Sequence, residues 1–141
     1  MGLWSAQMQG RPRWVLPLAF AGVLGLGSLL GMAGIGLPWG EQGIAISVLA
    51  LGLLLVAGLR LPLPASLPMV GGFALLHGYA HGLEMPADTG GAAYVAGLVL
   101  AAAMLQASGF GLAAAADRLG SPVWIRTGGV AMAVLGLCLL F

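Results

Sequence analysis

Two histidines and a glutamate lie at helical spacing inside a strongly apolar part of the chain. His77, His81 and Glu84 are four and then three residues apart in ALLHGYAHGLEMP, residues 74–86. Neutral imidazole is the usual ligand for nickel, zinc, copper and iron, and a carboxylate adds charge and a harder oxygen. At about 100° per residue, the three side chains fall within about 60° of arc on a helix. The spacing therefore predicts a stripe of metal ligands along one helix face.

This stripe does not have the pattern of a hydrolytic zinc centre. No glutamate follows His77 directly, so the H-E-x-x-H motif and its general base are missing. We predict no catalytic residues, no enzymatic activity and no resident cofactor. Because three ligands on one helix leave a metal ion incompletely coordinated, other helices must contribute. Gln106 is the best candidate, although a hydrogen bond between helices would explain it equally well. Weaker candidates are Ser47, Ser108, Met85 and Asp88.

Composition indicates an integral membrane protein. Only 6% of the residues are charged, whereas soluble domains average about 25%. The mean hydropathy is +1.05. Membrane β-strands need alternating polarity, and the apolar runs here do not alternate, so we predict helices. The net charge of +1 and the lack of a basic patch argue against nucleic acid as a partner.

Five apolar runs are long enough to be membrane-spanning helices. We predict that residues 1–141 form a single all-α domain, a polytopic membrane bundle of five transmembrane helices. The first run is longer than the apolar region of a signal peptide and lacks a cleavage site. The predicted spans are residues 14–36, 44–59, 67–85, 92–116 and 123–141.

The charged residues predict an orientation. Five alternating spans place all arginines on one side, namely Arg11, Arg13, Arg60, Arg118 and Arg126. Three of the four acidic residues, Glu41, Glu84 and Asp88, fall on the other side. Because loops rich in Lys and Arg stay in the cytoplasm, we predict a cytoplasmic N-terminus and an external C-terminus. The four tryptophans (Trp4, Trp14, Trp39 and Trp124) lie at span ends or in the N-terminal segment, as in an interfacial aromatic belt.

Small residues flank the histidine stripe. Gly78 and Gly82 make a small-xxx-small step beside it, and Gly27 and Gly31 make another in the first span. Such steps let helix backbones approach closely in a membrane. We therefore expect the stripe to be buried in the bundle, running from the outer surface to His77, about 15 Å into the span. A stripe that faced lipid would contradict the metal-site hypothesis.

The segment HGYAHGLEMP resembles the H-G-x-A-H-G-x-E signature of the HupE/UreJ family of membrane proteins. RWVLPLAF, GIAISVLALGLLL and RLPLP extend the resemblance along the chain. It implies secondary uptake of Ni²⁺, or of Co²⁺ in some members, for hydrogenase or urease maturation in the bacterial inner membrane. It also implies that His77, His81 and Glu84 handle the metal. The implied partners are the lipid bilayer and a divalent metal ion, and a homo-oligomer is left open.

The resemblance has a gap at the N-terminus. It implies a signal peptide and a further helix bearing H-P-x-x-G-x-D-H, and neither is recognisable here. Gln106 also stands where many members carry histidine. Two alternatives to a permease therefore stay open: a non-transporting metal-binding accessory membrane protein, and an N-terminally truncated, inactive paralogue. Haem ligation by both histidines is disfavoured because they share one helix face.

Overall fold

A computed structural model describes residues 1–8, 12–36, 40–118 and 123–141. These residues form six α-helices and no strand, which confirms the prediction of an all-α fold. The helices are α1 (Gly2–Ala6), α2 (Pro12–Met32), α3 (Gly40–Ala57), α4 (Leu63–Leu83), α5 (Gly91–Arg118) and α6 (Val123–Cys138). Helices α2–α6 correspond to the five predicted spans. The short helix α1 was not predicted.

Glycines end α2 and α3 before their apolar runs end. Gly34 and Gly58 have φ values of +66° and +63°, in the left-handed region that glycine adopts without strain. In α2, the Ile35 N–H donates to the Leu30 carbonyl at 3.4 Å, and Gly34 donates to Gly31 at 3.0 Å. These two bonds form a Schellman motif, which ends a helix by satisfying its last carbonyls. Hydropathy alone does not detect this stop.

Helix α4 starts earlier and ends earlier than predicted. It begins at Leu63, because Pro62 is its N-cap and a second proline fits the first turn, where a missing N–H costs nothing. Ser66 does not cap the helix, since its hydroxyl donates back to the Leu61 and Pro62 carbonyls, both at 3.1 Å. The helix ends at Leu83, so Glu84 is the C-cap and lies outside the last turn.

Helix α2 lies between α4 and α5, and its contacts show the direction in which each of them runs relative to it. It runs parallel to α4, because Leu24 meets Gly78 and Gly31 meets Gly82. It runs antiparallel to α5, because Pro17 is beside Gln106 whereas Gly25, further along α2, is beside residues 95 and 99.

Helix α3 packs on α4 on the side opposite α2, and α6 packs on α3. Gly136 meets Leu49, and Gly129 meets Leu55, so α3 and α6 are antiparallel. Gly43, near the start of α3, packs on Leu76, near the end of α4, which makes this pair antiparallel as well. The five long helices therefore alternate in direction along the chain.

This alternation separates the charges between the two ends of the bundle. Glu41, Glu84 and Asp88 are exposed at one end, here named the acidic end. Arg60, Arg118 and Arg126 are exposed at the other, the basic end. Arg11 and the side chain of Arg13 lie outside the described residues.

Two of the described helices are long and apolar enough to cross a membrane: α2 from Trp14, and α5 up to Ala116. The apolar parts of α3 and α6, residues 41–57 and 123–138, are shorter. Polar side chains and prolines lower the hydropathy of α4. The count of five transmembrane helices therefore stays a prediction.

The core lies towards the basic end and is built around α1. Trp4 is fully buried there with Leu16, Leu55 and Val70, one residue from each of α1 to α4. Its indole N–H donates to the Leu59 carbonyl at 3.0 Å. The placement of Trp4 in an interfacial belt is therefore wrong, because α1 folds into the bundle. Trp14 and Trp124 are 62% and 70% exposed at the basic end, as expected of belt residues, and Trp39 lies outside the described residues.

Candidate metal-binding site

The histidines of α4 continue the face of the helix that packs into the core. Ser66, Val70 and Ala74 are fully buried and fall, with His77 and His81, within about 80° of arc. Both histidines are half-buried, one and two turns beyond Ala74. The stripe therefore faces the interior of the bundle.

The two imidazole rings meet edge to face. Their centroids are 5.6 Å apart and their planes differ by 64°. A metal–nitrogen bond of about 2.1 Å puts an ion about 3 Å from each ring centre, so two imidazoles sharing one ion have centres about 4.5–6.5 Å apart. The separation of His77 and His81 fits a shared divalent ion.

Close packing of α2 holds this part of α4 in place. A Cβ added to Gly78 would overlap the carbonyl of Leu24, and one added to Gly82 would overlap the carbonyl of Ser28. In return, Gly27 and Gly31 meet the α4 backbone. The two predicted small-xxx-small steps pack against each other, and this backbone contact sets the rotation of the histidine stripe.

Helix α1 lies on the basic side of the histidines. Met1, at its start, packs against the hydrophobic core cluster that contains Trp4. Below Met1, Trp4 and Ser5 are fully buried. The bundle is therefore filled between the histidines and the basic end.

Glu84 does not join the histidines around one ion position. It is exposed, and its backbone N–H donates to the Ala80 carbonyl at 3.2 Å. Across the described ranges, no three His, Cys, Asp or Glu side chains are grouped so that they could hold one metal ion. Glu84 is the C-cap of α4, one turn beyond His81, where the rest of the bundle no longer covers the helix. Its part in metal handling stays a prediction.

Gln106 is buried between α1, α2 and α5. Its amide nitrogen donates weakly to the Pro17 carbonyl at 3.5 Å, and Gly2 packs on its backbone. Its Oε1 is buried without a hydrogen-bond partner in the described structure. These contacts favour helix packing, and ligation by Gln106 stays a prediction.

Two of the four weaker candidates are hydrogen-bonded within their own helices. The hydroxyls of Ser47 and Ser108 donate to carbonyls of their own helices, at 2.7 and 2.9 Å. Met85 is half-buried and Asp88 is exposed. A separate open groove beside α5, lined by Leu29, Ala92, Val95, Ala96, Val99, Leu100 and Ala103, offers no side-chain ligand.

Tyr94 is a neighbour of the site that the sequence did not reveal. Its hydroxyl, on α5, donates to the backbone carbonyl of His81 at 2.8 Å. A lone tyrosine at the start of an apolar run carries no recognisable signal, because its partner is a backbone atom of another helix.

Comparison with known proteins assigns the chain to a family. The family model described as HupE / UreJ protein matches residues 1–139. The chain is also 38% identical over 140 residues to Protein HupE of Rhizobium leguminosarum bv. viciae, covering 99% of this chain and 73% of that relative. No solved structure matches the chain. Because the similarity extends along almost the whole sequence, histidine segment included, the chain belongs to the HupE/UreJ family.

Proposed function

We propose that the chain is a secondary permease for divalent nickel, with cobalt as the second candidate metal, in the bacterial inner membrane. It would supply metal for hydrogenase or urease maturation. The observation that carries this proposal is the pair of His77 and His81, which share the core-facing stripe of α4 with ring centroids 5.6 Å apart. Imidazole ligands suit Ni²⁺ and the neighbouring late first-row metals.

The order of the groups along α4 supports a path for the ion. Glu84 is exposed at the acidic end and would attract the cation first. The ion would then pass to His81 and on to His77, the deeper of the two. Conduction requires binding that is favourable enough to admit the ion and weak enough to release it. Two imidazoles with water in the remaining positions meet this requirement better than a closed cage does.

The charge distribution supports the orientation of this path. The exposed arginines at the basic end would face the cytoplasm, and the acidic end would face outward. The N-terminus would be cytoplasmic and the C-terminus external. In this orientation the histidine pair would lie on the outer side of the core around Trp4, and this core would separate the pair from the cytoplasm.

Uptake of radiolabelled Ni²⁺ by cells expressing the full chain tests the proposal. His77→Ala and His81→Ala should each abolish most of the uptake, because each removes one of two paired ligands. Thr127→Val is the matched control: it removes an exposed hydroxyl that bonds only to the Trp124 carbonyl of its own helix. Equal uptake by wild type and both histidine variants would refute the permease.

A second candidate is a non-transporting accessory protein that binds metal at the same pair. The observation that favours it is the closed core between the histidines and the basic end. Ni²⁺ binding by the purified protein in nanodiscs, compared with Ni²⁺ accumulation in sealed vesicles that contain it, distinguishes the permease from the accessory protein. A permease binds Ni²⁺ and also delivers it to the vesicle interior, whereas an accessory protein binds it without accumulation.

A further inference from the structure

The hydrogen bond from Tyr94 to His81 reaches the final turns of the histidine-bearing helix. The last four carbonyls of an α-helix have no partner within the helix, and the His81 carbonyl is among those of α4. The Tyr94 hydroxyl, in the first turn of α5, satisfies it at 2.8 Å. A side chain of one helix thereby holds the backbone of a proposed metal ligand on another.

Helices α4 and α5 do not otherwise pack extensively on each other. The main contacts of α4 are with α2 and α3, whereas α5 packs on α1 and α2. Both helices pack on α2 and have few direct contacts with each other. The bond from Tyr94 joins them at the level of His81.

We propose that Tyr94 is a positioning residue for metal capture. Its hydroxyl fixes the last turn of α4 against α5, and so holds the His81 ring at its place beside His77. This inference rests on the proposed permease function. Without the bond, the His81 carbonyl turns to water, the helix end frays and the two rings lose their fixed separation.

Kinetics of nickel uptake test the positioning role. Tyr94→Phe keeps the ring and removes the donor. The KM for Ni²⁺ should rise about threefold to tenfold, the range expected for one lost hydrogen bond, while Vmax stays within about twofold. Thr127→Val again serves as control and should leave both constants unchanged. A fall in Vmax with an unchanged KM would overturn the proposal, because a general loss of folded protein gives that result.

A second readout does not depend on metal. In a Cys138→Ser background, His77→Cys is labelled from outside the cell with a membrane-impermeant maleimide. Adding Tyr94→Phe should accelerate labelling several-fold, because the last turns of α4 are no longer held against α5 and open more often. Glu84→Cys is the control, since residue 84 is already exposed and its labelling should not change.

Uptake kinetics and maleimide labelling together distinguish a failure of the Tyr94 role from a failure of the permease function. Unchanged labelling together with an unchanged KM would overturn the role of Tyr94. If the wild type does not take up nickel but Tyr94→Phe still accelerates labelling, the proposed permease function is wrong. The role of the Tyr94 hydrogen bond in holding α4 against α5 is then supported.

Discussion

Two imidazoles on consecutive turns of one helix supply only part of a metal coordination shell. Divalent late first-row metals bind four to six ligands, so water would have to fill the remaining positions around an ion bound by His77 and His81. A resident structural metal is normally enclosed by protein ligands, whereas a transported ion must leave. The half-buried state of both rings, continuous with the buried Ala74, suits an ion that arrives and departs.

At the residue scale, we expect Glu84 to affect the capture of Ni²⁺ from outside and not the passage of the bound ion. Glu84→Gln is expected to raise the KM for Ni²⁺ roughly threefold to tenfold with Vmax unchanged, because an exposed carboxylate attracts the cation before the histidines bind it. The measurement is the concentration dependence of uptake. Glu41→Gln removes an exposed carboxylate from the same end on α3 and should have little effect. Equal KM values for both variants would show that Glu84 has no special part.

Trp4 should contribute to stability through its side-chain donor. Trp4→Phe leaves the Leu59 carbonyl without the indole N–H, and we expect a loss of about 1 kcal/mol. The measurement is the unfolding midpoint in detergent. Trp124→Phe alters a tryptophan that is 70% exposed and should shift the midpoint much less. If the two substitutions shift the midpoint equally, Trp4 does not anchor the core.

The residues of the site were predictable only where helix geometry fixes them. A spacing of four places His77 and His81 on one face of any α-helix, and the structure has them there. Glu84 follows the same spacing, but it is the exposed C-cap of α4, and spacing along a helix does not show where the bundle stops covering it. Tyr94 acts on a backbone carbonyl across a tertiary contact, which no spacing in the sequence encodes.

At the scale of elements, paired glycines decide how α4 is rotated. Gly78 and Gly82 admit the backbone of α2, and this contact leaves the adjacent histidine face turned to the interior. In a membrane, packing of this kind replaces the hydrophobic drive that is absent between helices. The rotation of the site thus depends on residues that carry no chemistry themselves.

Gly78→Ala should therefore damage the fold and the site together. The added Cβ overlaps the Leu24 carbonyl, and overpacking of this kind costs about 1–3 kcal/mol. We expect a lower unfolding midpoint and reduced nickel uptake. Gly72→Ala is the control on the same helix, because a Cβ there meets nothing within 4 Å. A neutral Gly78→Ala would mean that α2 and α4 are not in close backbone contact.

Hydropathy located the five long helices but not their ends, nor α1. The ends of α2 and α3 depend on left-handed glycines, and the start of α4 depends on the N-cap Pro62. Helix α1 is only five residues long and forms because the bundle buries it. A segment whose stability comes from tertiary contacts gives no periodic signal of its own.

At the scale of the whole molecule, the alternating helix directions place the exposed basic and acidic residues at opposite ends of the bundle. Helices α2 to α6 alternate in direction, and the exposed arginines and carboxylates separate to opposite ends as a result. The directions come from backbone packing, and the separation of the charges follows from these directions and from the helix end that carries each charged residue. Both are consistent with five membrane crossings, and among the described helices α2 and α5 meet the length and hydropathy expected of a span.

Reporter fusions test this topology at three places. Alkaline phosphatase, which is active only outside the cytoplasm, should be active when fused after Phe141 or after Asp88, and inactive when fused after Arg60. A fluorescent protein that folds only in the cytoplasm should give the reverse pattern, because the arginines retain their end of the bundle inside. If only α6 failed to cross, the fusions after Arg60 and Phe141 would both report the cytoplasm. If only α3 failed, the pattern would reverse, with the fusion after Arg60 outside and those after Asp88 and Phe141 in the cytoplasm. That result would place the histidine pair in a different compartment from the one that capture from outside requires.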